Sequence, residues 1–474
     1  MGVDVWGRGS HGNGGFGSYK AITHIAPESL GLSVALFGQA WTWESEQDKP
    51  GWTWETWWDY ESKLWVGPVN GVVEVPEAPR RDGEPECIHG PFLPISSFFP
   101  RIPPPNPLDL VFHTTFCPGV GRAWFVDGVK VFQSKSGWTD IDKQCTVGDM
   151  VWPRPTLTWE GDEQLDKLPI SSSVLCMEDA WNAGSCLRLS LNDPGSEAED
   201  AFFRCVWLPV QSLTITAQRS YEATAIYKTE YGANVSLDIG LSIKVLSPTT
   251  LSKQTVQVTP NTISDAELPG GWMKLSIQFD LAAESGNFDP ALHVQAAIGL
   301  VIAIATEVPT QPWQLSILLG QLNVFPSPPL VQHPVILWAD FEPNSGESSY
   351  DRTSGILTWG IAASLSSPTR INVTSPEDPE PAWATDSSGR WFPSFLYFNI
   401  YAQRYSSDGK VGRPDDAAWI GTTGLDGKVN RFVVRQQNLP FTDDEGAQTR
   451  FYVQGVTACG EVLPWKQCVF VDAE

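Results

Sequence analysis

Two tryptophans, two carboxylates and a glutamine near the N-terminus are of types that can contact a neutral or cationic ligand. Trp6 ends the run VDVW, and Trp41 follows LSVALFGQA, so each falls just past a strand-like apolar stretch. Indole rings stack on apolar faces such as those of pyranoses, and their N–H groups donate to hydroxyls. Gln39 and Glu44 flank Trp41 and add a donor and acceptors at the same strand end. Asp4 alternates with Val3 and Val5, so a strand would turn it to the opposite face, where it bonds a ligand or a neighbouring arginine. Each position also has a plainer use. The indoles can cap a core, Glu44 can be a solvated loop carboxylate, and Asp4 can form a structural ion pair.

Other chemistries are excluded. The glycine-rich GRGSHGNGG lacks the lysine of a GxxxxGK[ST] loop and the context of GxGxxG, which rejects nucleotide binding. It reads as a flexible loop after a strand. No GxSxG elbow occurs. His11, His24 and His113 are dispersed, and the eight cysteines show no CxxC, so neither a metal site nor any cofactor is expected. His24 and His113 read as core or supporting histidines. With 31 Lys+Arg against 55 Asp+Glu, the chain carries a formal charge of −24, which repels phosphate backbones and anionic membranes. No nucleic-acid or membrane partner is expected. The longest apolar run, ALHVQAAIGLVIAIATEV, is interrupted by His293, Gln295 and Gly299 and reads as paired strands. The N-terminus lacks the basic and apolar regions of a signal peptide. The cysteines are therefore expected to be reduced thiols in the cytoplasm, with Cys459 and Cys468 close enough in sequence to pair if oxidised.

The elements that must position these residues change character along the chain. Residues 1–165 combine continuous apolar runs with helical stretches near Tyr19–Ile25 and over WTWETWWDYESKLWVG, the α/β pattern of a parallel sheet covered on both faces. Trp54, Trp57, Trp58 and Trp65 recur so that some must face a core. A Pro-rich segment, 100–107, precedes the run LVFHTTF. From 166 to 328, short alternating segments separated by turns predict a jelly-roll-like β-sandwich. PSPPLVQHP, 326–334, reads as a linker, and 335–474 predict a second sandwich of fibronectin III or immunoglobulin type.

Four runs in order, GVDVWGRGSHGNGGFGSYKAI, GLSVALFGQAWTWE, HTTFCPGVG and CMEDAWNAGSCLRLSL, resemble glycoside hydrolase family 85, the cytosolic endo-β-N-acetylglucosaminidases, in their fungal form. The resemblance covers about residues 1–330. It implies that the first three runs are the last strands of a partial (β/α)8 TIM barrel, and that the fourth, with Glu178, Asp179 and Trp181, opens a β-sandwich packed beside it. It implies a substrate too, an N-linked glycan or free oligosaccharide cut between its two core N-acetylglucosamines. In that chemistry the substrate's acetamido oxygen attacks the anomeric carbon, an Asn orients the acetamide, and a Glu two residues later is acid and then base. Trp6 and Trp41 match aromatic family positions and are taken as sugar platforms, with Asp4, Gln39 and Glu44 beside them.

The catalytic pair is missing from the pattern. Asn13, Asn70, Asn106, Asn182, Asn192 and Asn234 are followed two positions on by Gly15, Val72, Leu108, Gly184, Pro194 and Ser236, and the later asparagines give no Asn-x-Glu either. A barrel needs eight strands to close, and about three can be found. The chain is therefore expected to be the C-terminal part of a longer enzyme whose catalytic Asn and Glu lie upstream of residue 1, and to be inactive alone. The alternative is a non-catalytic glycan-binding or interaction protein.

Overall fold

The computed structural model describes the chain outside residues 68–86, 100–109, 111, 152–154, 156, 160–168, 198–200, 232–233, 247–255, 284–292, 328–333, 345–352, 363–367, 371–382, 386–394, 406–410, 426–428, 442–447 and 474. The Pro-rich segment and most of the anticipated linker lie outside the described residues.

The N-terminal segment alternates short strands and helices: β1 (Gly2–Asp4), α1 (Ser18–Ile25), α2 (Pro27–Leu30), β2 (Ala35–Phe37), α3 (Trp41–Glu44) and α4 (Trp54–Trp65). β1 and β2 pair in parallel, Val3 opposite Leu36. Helix α1 buries Tyr19, Ala21 and Ile22 on one side. A capping box starts α4: Thr53 accepts from the Thr56 N–H, and the Thr56 hydroxyl oxygen accepts from the Thr53 N–H. Val3, Val5, Phe16, Ile22, Leu64 and Ile95 form the small core beneath these elements.

Strands dominate the rest. They are β3 (Phe112–Thr114), β4 (Pro118–Val126), β5 (Val129–Gln144), β6 (Thr158–Trp159), β7 (Ile170–Cys176), β8 (Cys186–Asp193), β9 (Phe203–Thr216), β10 (Tyr221–Tyr231), β11 (Val235–Val245), β12 (Val256–Glu267), β13 (Met273–Ala283), β14 (His293–Thr306) and β15 (Trp313–Pro326). There follow β16 (Val335–Pro343), β17 (Gly355–Ala362), β18 (Pro368–Arg370), β19 (Trp383–Thr385), β20 (Phe395–Tyr405), β21 (Ala418–Thr422), β22 (Arg431–Val434), β23 (Gln448–Thr457) and β24 (Val469–Ala473).

A seven-stranded sheet runs β12-β13-β10-β15-β8-β7, with β3 also paired to β15, and a four-stranded sheet runs β11-β14-β9-β6. Leu189, Ala223 and Ile317 of the first sheet and Leu208, Ile239 and Leu300 of the second share one apolar core, as the alternation of each strand allows. Within the second sheet, Leu300 of β14 stands opposite Leu241 of β11.

A further core lies between the three-stranded sheet β16-β17-β22 and the four-stranded sheet β21-β20-β23-β24, built from residues such as Leu357, Phe398, Val434 and Phe451. The run ending at Thr306 is a single strand, β14, bonded on both sides, rather than two paired strands. Gly299 sits at its bulge opposite β9, where an added Cβ would lie 2.1 Å from the Leu208 carbonyl oxygen.

One expectation is corrected. The family resemblance implies that the HTTF run is a late barrel strand, yet β3 runs antiparallel to β15, with Thr114 opposite Leu322. A parallel barrel strand cannot make that pairing. The hairpin β4–β5 that follows packs on later segments: Trp124 stacks on Trp419 at 6.0 Å, and Leu425 N–H donates to the Asp142 carbonyl.

Candidate functional site

The β1–β2 pair ends in two tight turns that bring Trp6 against Gly38 and Trp41 against Gly15. After β1, the chain folds back so that Gly15 N–H donates to the Val5 carbonyl and Gly7 N–H to that of Asp4. Gly38 follows β2 at φ 78°, and an added Cβ there would lie 2.7 Å from Trp6 Cδ1. Trp6 and the turn after β2 are therefore in direct contact, and Gly38 gives the indole its room.

Asp4 is tied down. Its carboxylate accepts from Arg8 Nε at 2.8 Å and from the Trp6 backbone N–H at 3.0 Å, and its own N–H donates to Ser10 Oγ. The Arg8 hydrogen bond holds the Asp4 carboxyl below its usual range. The Arg8 guanidinium in turn lies 5.3 Å from the centroid of the Phe37 ring. Both readings offered for Asp4 involve an arginine or a ligand, and the arginine is Arg8.

The two tryptophans differ. Trp6 is 39% exposed. Trp41 is half-buried, edge-to-face with Phe16 at 5.7 Å and tilted on Tyr60 at 5.6 Å. An added Cβ on Gly15, at φ 51°, would lie 2.5 Å from Trp41 Cζ2, so glycine alone lets the loop pass over that ring. Gln39 and Glu44 are exposed. Trp41 and Glu44 stand on the single-turn helix α3 rather than on a loop.

Sequence reasoning missed the aromatic layer around Trp41. Trp43 lies 6.1 Å from Trp52 and 6.0 Å from Trp57, and Trp52 meets Tyr60 edge-on at 5.7 Å. Burial, reinforced by the charge of Glu46, pushes the Tyr60 phenol up to about 12. Glu61 also faces inward. Its carboxylate accepts from the Trp65 indole N–H at 2.7 Å, and burial raises it above the usual carboxylate range. The tryptophan spacing in 41–65 was the available signal. The side chains of Trp54 and Trp58 lie outside the described residues.

Clefts also lie elsewhere. One of about 660 Å³ separates the β4–β5 hairpin from the C-terminal sheet and is lined by Phe132, Tyr401, Asp415, Trp419, Asn438 and Trp465 among others. Another, of about 300 Å³, is lined by Trp181, Glu222, Lys274, Gln321 and Glu461 among others. Asp127 borders both, and burial followed by the Glu461 charge pushes its carboxyl up to about 6. Asp179 is paired with Lys228 at 2.9 Å, and Trp181 is buried against Trp272, so Trp181 packs rather than projects.

The histidines require a correction. His113 is half-buried and bonded to Asn323 at 2.6 Å, and desolvation pushes it down to about 4. His24 is exposed, and His11, His24, Cys87 and His89 converge with their ligand atoms within 4.8 Å of one another. The expectation of no cluster of metal-ligand type fails because these residues come from separate segments. Cys459 and Cys468 are free thiols.

Residues 1–124 match the family model described as "Glycosyl hydrolase family 85". No curated protein matches the chain. Among solved structures, the chain is similar to the glycoside hydrolase domain of Endo-D from Streptococcus pneumoniae R6, with TM-score 0.45 and 13% identity, over 94% of this chain and 53% of that one. The chain thus spans about half of that structure's length. It is also similar to a β-1,2-glucanase from Parabacteroides distasonis, with TM-score 0.27 and 12% identity, over 67% of this chain and 36% of that one.

Proposed function

From the match of residues 1–124 to glycosyl hydrolase family 85, we propose that this chain supplies the glycan-binding side of an endo-β-N-acetylglucosaminidase. The substrate would be an N-linked glycan or free oligosaccharide, bound at its core N-acetylglucosamine pair. Trp6 offers an exposed indole face to a pyranose ring. Trp41 holds that edge from beneath with its own ring margin, and Asp4, Gln39 and Glu44 bond hydroxyls around it. In this reading β1 and β2 are late strands of a (β/α)8 barrel, and the barrel part ends before β3. The two sheet pairs that follow would be the jelly-roll-like and fibronectin III-like sandwiches. A cytosolic setting, where its cysteines would stay reduced, is part of this reading.

The cleavage chemistry asks for an Asn and a Glu two residues apart on one strand face, so that one orients the acetamide while the other handles the proton. No Asn-x-Glu occurs in the 474 residues, so no residue of this chain is assigned that work. The family match over the segment that carries Trp6 and Trp41 is the observation that bears the proposal.

The second reading, glycan binding without cleavage, draws on the aromatic cleft between the β4–β5 hairpin and the C-terminal sheet. Incubating the purified chain with a high-mannose glycopeptide and following release by mass spectrometry tests the assignment. No release is expected. Turnover by the chain alone would show that one of its own carboxylates is the catalytic acid.

A further inference from the structure

We propose that His11, His24, Cys87 and His89 form a zinc site that fastens the 87–92 segment to α1 and the glycine-rich loop. Three ring nitrogens and one sulfur meet at a point where three separate stretches of chain come together. The ligand atoms all lie within 4.8 Å of one another. His11 Nε2 is 2.8 Å from His89 Nε2, and His24 Nε2 is 3.1 Å from Cys87 Sγ. The three imidazole centroids are nearly equidistant, at 4.7, 4.9 and 5.0 Å.

Those distances suit a tetrahedral ion. With Zn–N near about 2.05 Å and Zn–S near about 2.3 Å, the ligand edges are about 3.3 Å for N···N and about 3.6 Å for N···S. The two short pairs need to open by only about half an ångström to reach them. The ligand chemistry is borderline-soft, with imidazole and thiolate and no carboxylate, which favours zinc over calcium or magnesium. Four protein ligands fill the tetrahedron and leave no position for water, so the role is structural rather than catalytic.

The surroundings hold the ligands in place. His11 lies in a turn where an added Cβ on Gly12 would meet the Gly17 carbonyl oxygen at 2.4 Å, so the loop is folded tightly against the start of α1. His24 occupies the last turn of α1. Beyond Cys87 and His89, the Tyr19 hydroxyl donates to the Gly90 carbonyl at 3.0 Å, and Phe92 packs on Phe16 and Tyr19. The core of this part is small, and a cross-link among residues 11, 24, 87 and 89 would add what the apolar contacts lack.

The test uses the full 474-residue chain, stripped with chelator and titrated with Zn²⁺ and separately with Co²⁺. One equivalent of zinc should bind, with visible ligand-field bands of a tetrahedral cobalt site and a near-ultraviolet thiolate-to-cobalt band. Cys87→Ser should abolish the thiolate band, and His89→Ala should lower affinity at least about tenfold. His293→Gln, outside the cluster, should change neither. Absence of stoichiometric zinc binding in the folded chain overturns the proposal. So does a cobalt spectrum unchanged by Cys87→Ser, which would place the metal on another of the eight cysteines. Should His89→Ala fail to fold, the Cys87→Ser spectrum decides alone.

Discussion

Replacing Trp41 and Trp6 in turn separates packing from the ligand contact proposed at the end of the β1–β2 pair. Trp41 meets Phe16 and Tyr60 at 5.7 and 5.6 Å, and its ring lies against Gly15. Each aromatic pair is worth about 0.5–1.5 kcal/mol beyond area burial. A fully buried Trp→Ala change costs about 3–5 kcal/mol, so half-buried Trp41→Ala should cost about 3 kcal/mol. Trp6, 39% exposed, should cost under about 1 kcal/mol of stability. Losing its stacking face should weaken glycan binding by about 1 kcal/mol, roughly fivefold in Kd. Because the chain holds several separate cores, a single unfolding curve would mix them. Native-state hydrogen exchange at the amides of β1 and α1 reads the local effect, and calorimetric titration with a chitobiose-core oligosaccharide reads binding. Unchanged protection with reduced affinity in Trp41→Ala would refute the division of labour between the two indoles.

Other positions give independent checks. Asp127 has a folded-state pKa raised from 3.8 to about 6, so the fold favours its protonated form. Stability should therefore fall as pH rises from about 4 through about 6 and stay lower above that window. Asp127→Asn, which tolerates the φ of 49° found there, should flatten this window and add about 2 kcal/mol at neutral pH, read as native-state exchange protection in β4 and β5 as a function of pH. Arg204→Met should destabilise by about 3 kcal/mol, read as lost exchange protection in β8 and β9, because it leaves the buried Asp193 carboxylate, 3.6 Å away, without its cation. Gly299→Ala should cost about 2 kcal/mol or more, read as lost exchange protection in β9 and β14, because its Cβ would strike the Leu208 carbonyl.

Local pattern made α1 and α4 legible, since both place apolar residues at helical spacing. The strand-rich character after residue 170 was legible for the same reason, through period-two alternation. The partner of β3 was not. An apolar run such as LVFHTTF looks alike in a parallel or antiparallel sheet, and its partner, β15, lies about 210 residues further on, where His113 bonds Asn323. The same limit hid the cluster of His11, His24, Cys87 and His89, whose members sit far apart in sequence and meet only through the folded loop. Trp6 and Trp41 do follow the short strands β1 and β2, but the sequence could not tell an exposed ring from a packed one. That depended on Phe16 and Tyr60, which arrive from other elements.

The most direct test of the glycan-binding assignment is a calorimetric titration of the folded 474-residue chain with an oligosaccharide carrying the core N-acetylglucosamine pair. Saturable binding that Trp6→Ala weakens several-fold is predicted. No heat of binding from a chain whose circular dichroism shows it folded would contradict the account.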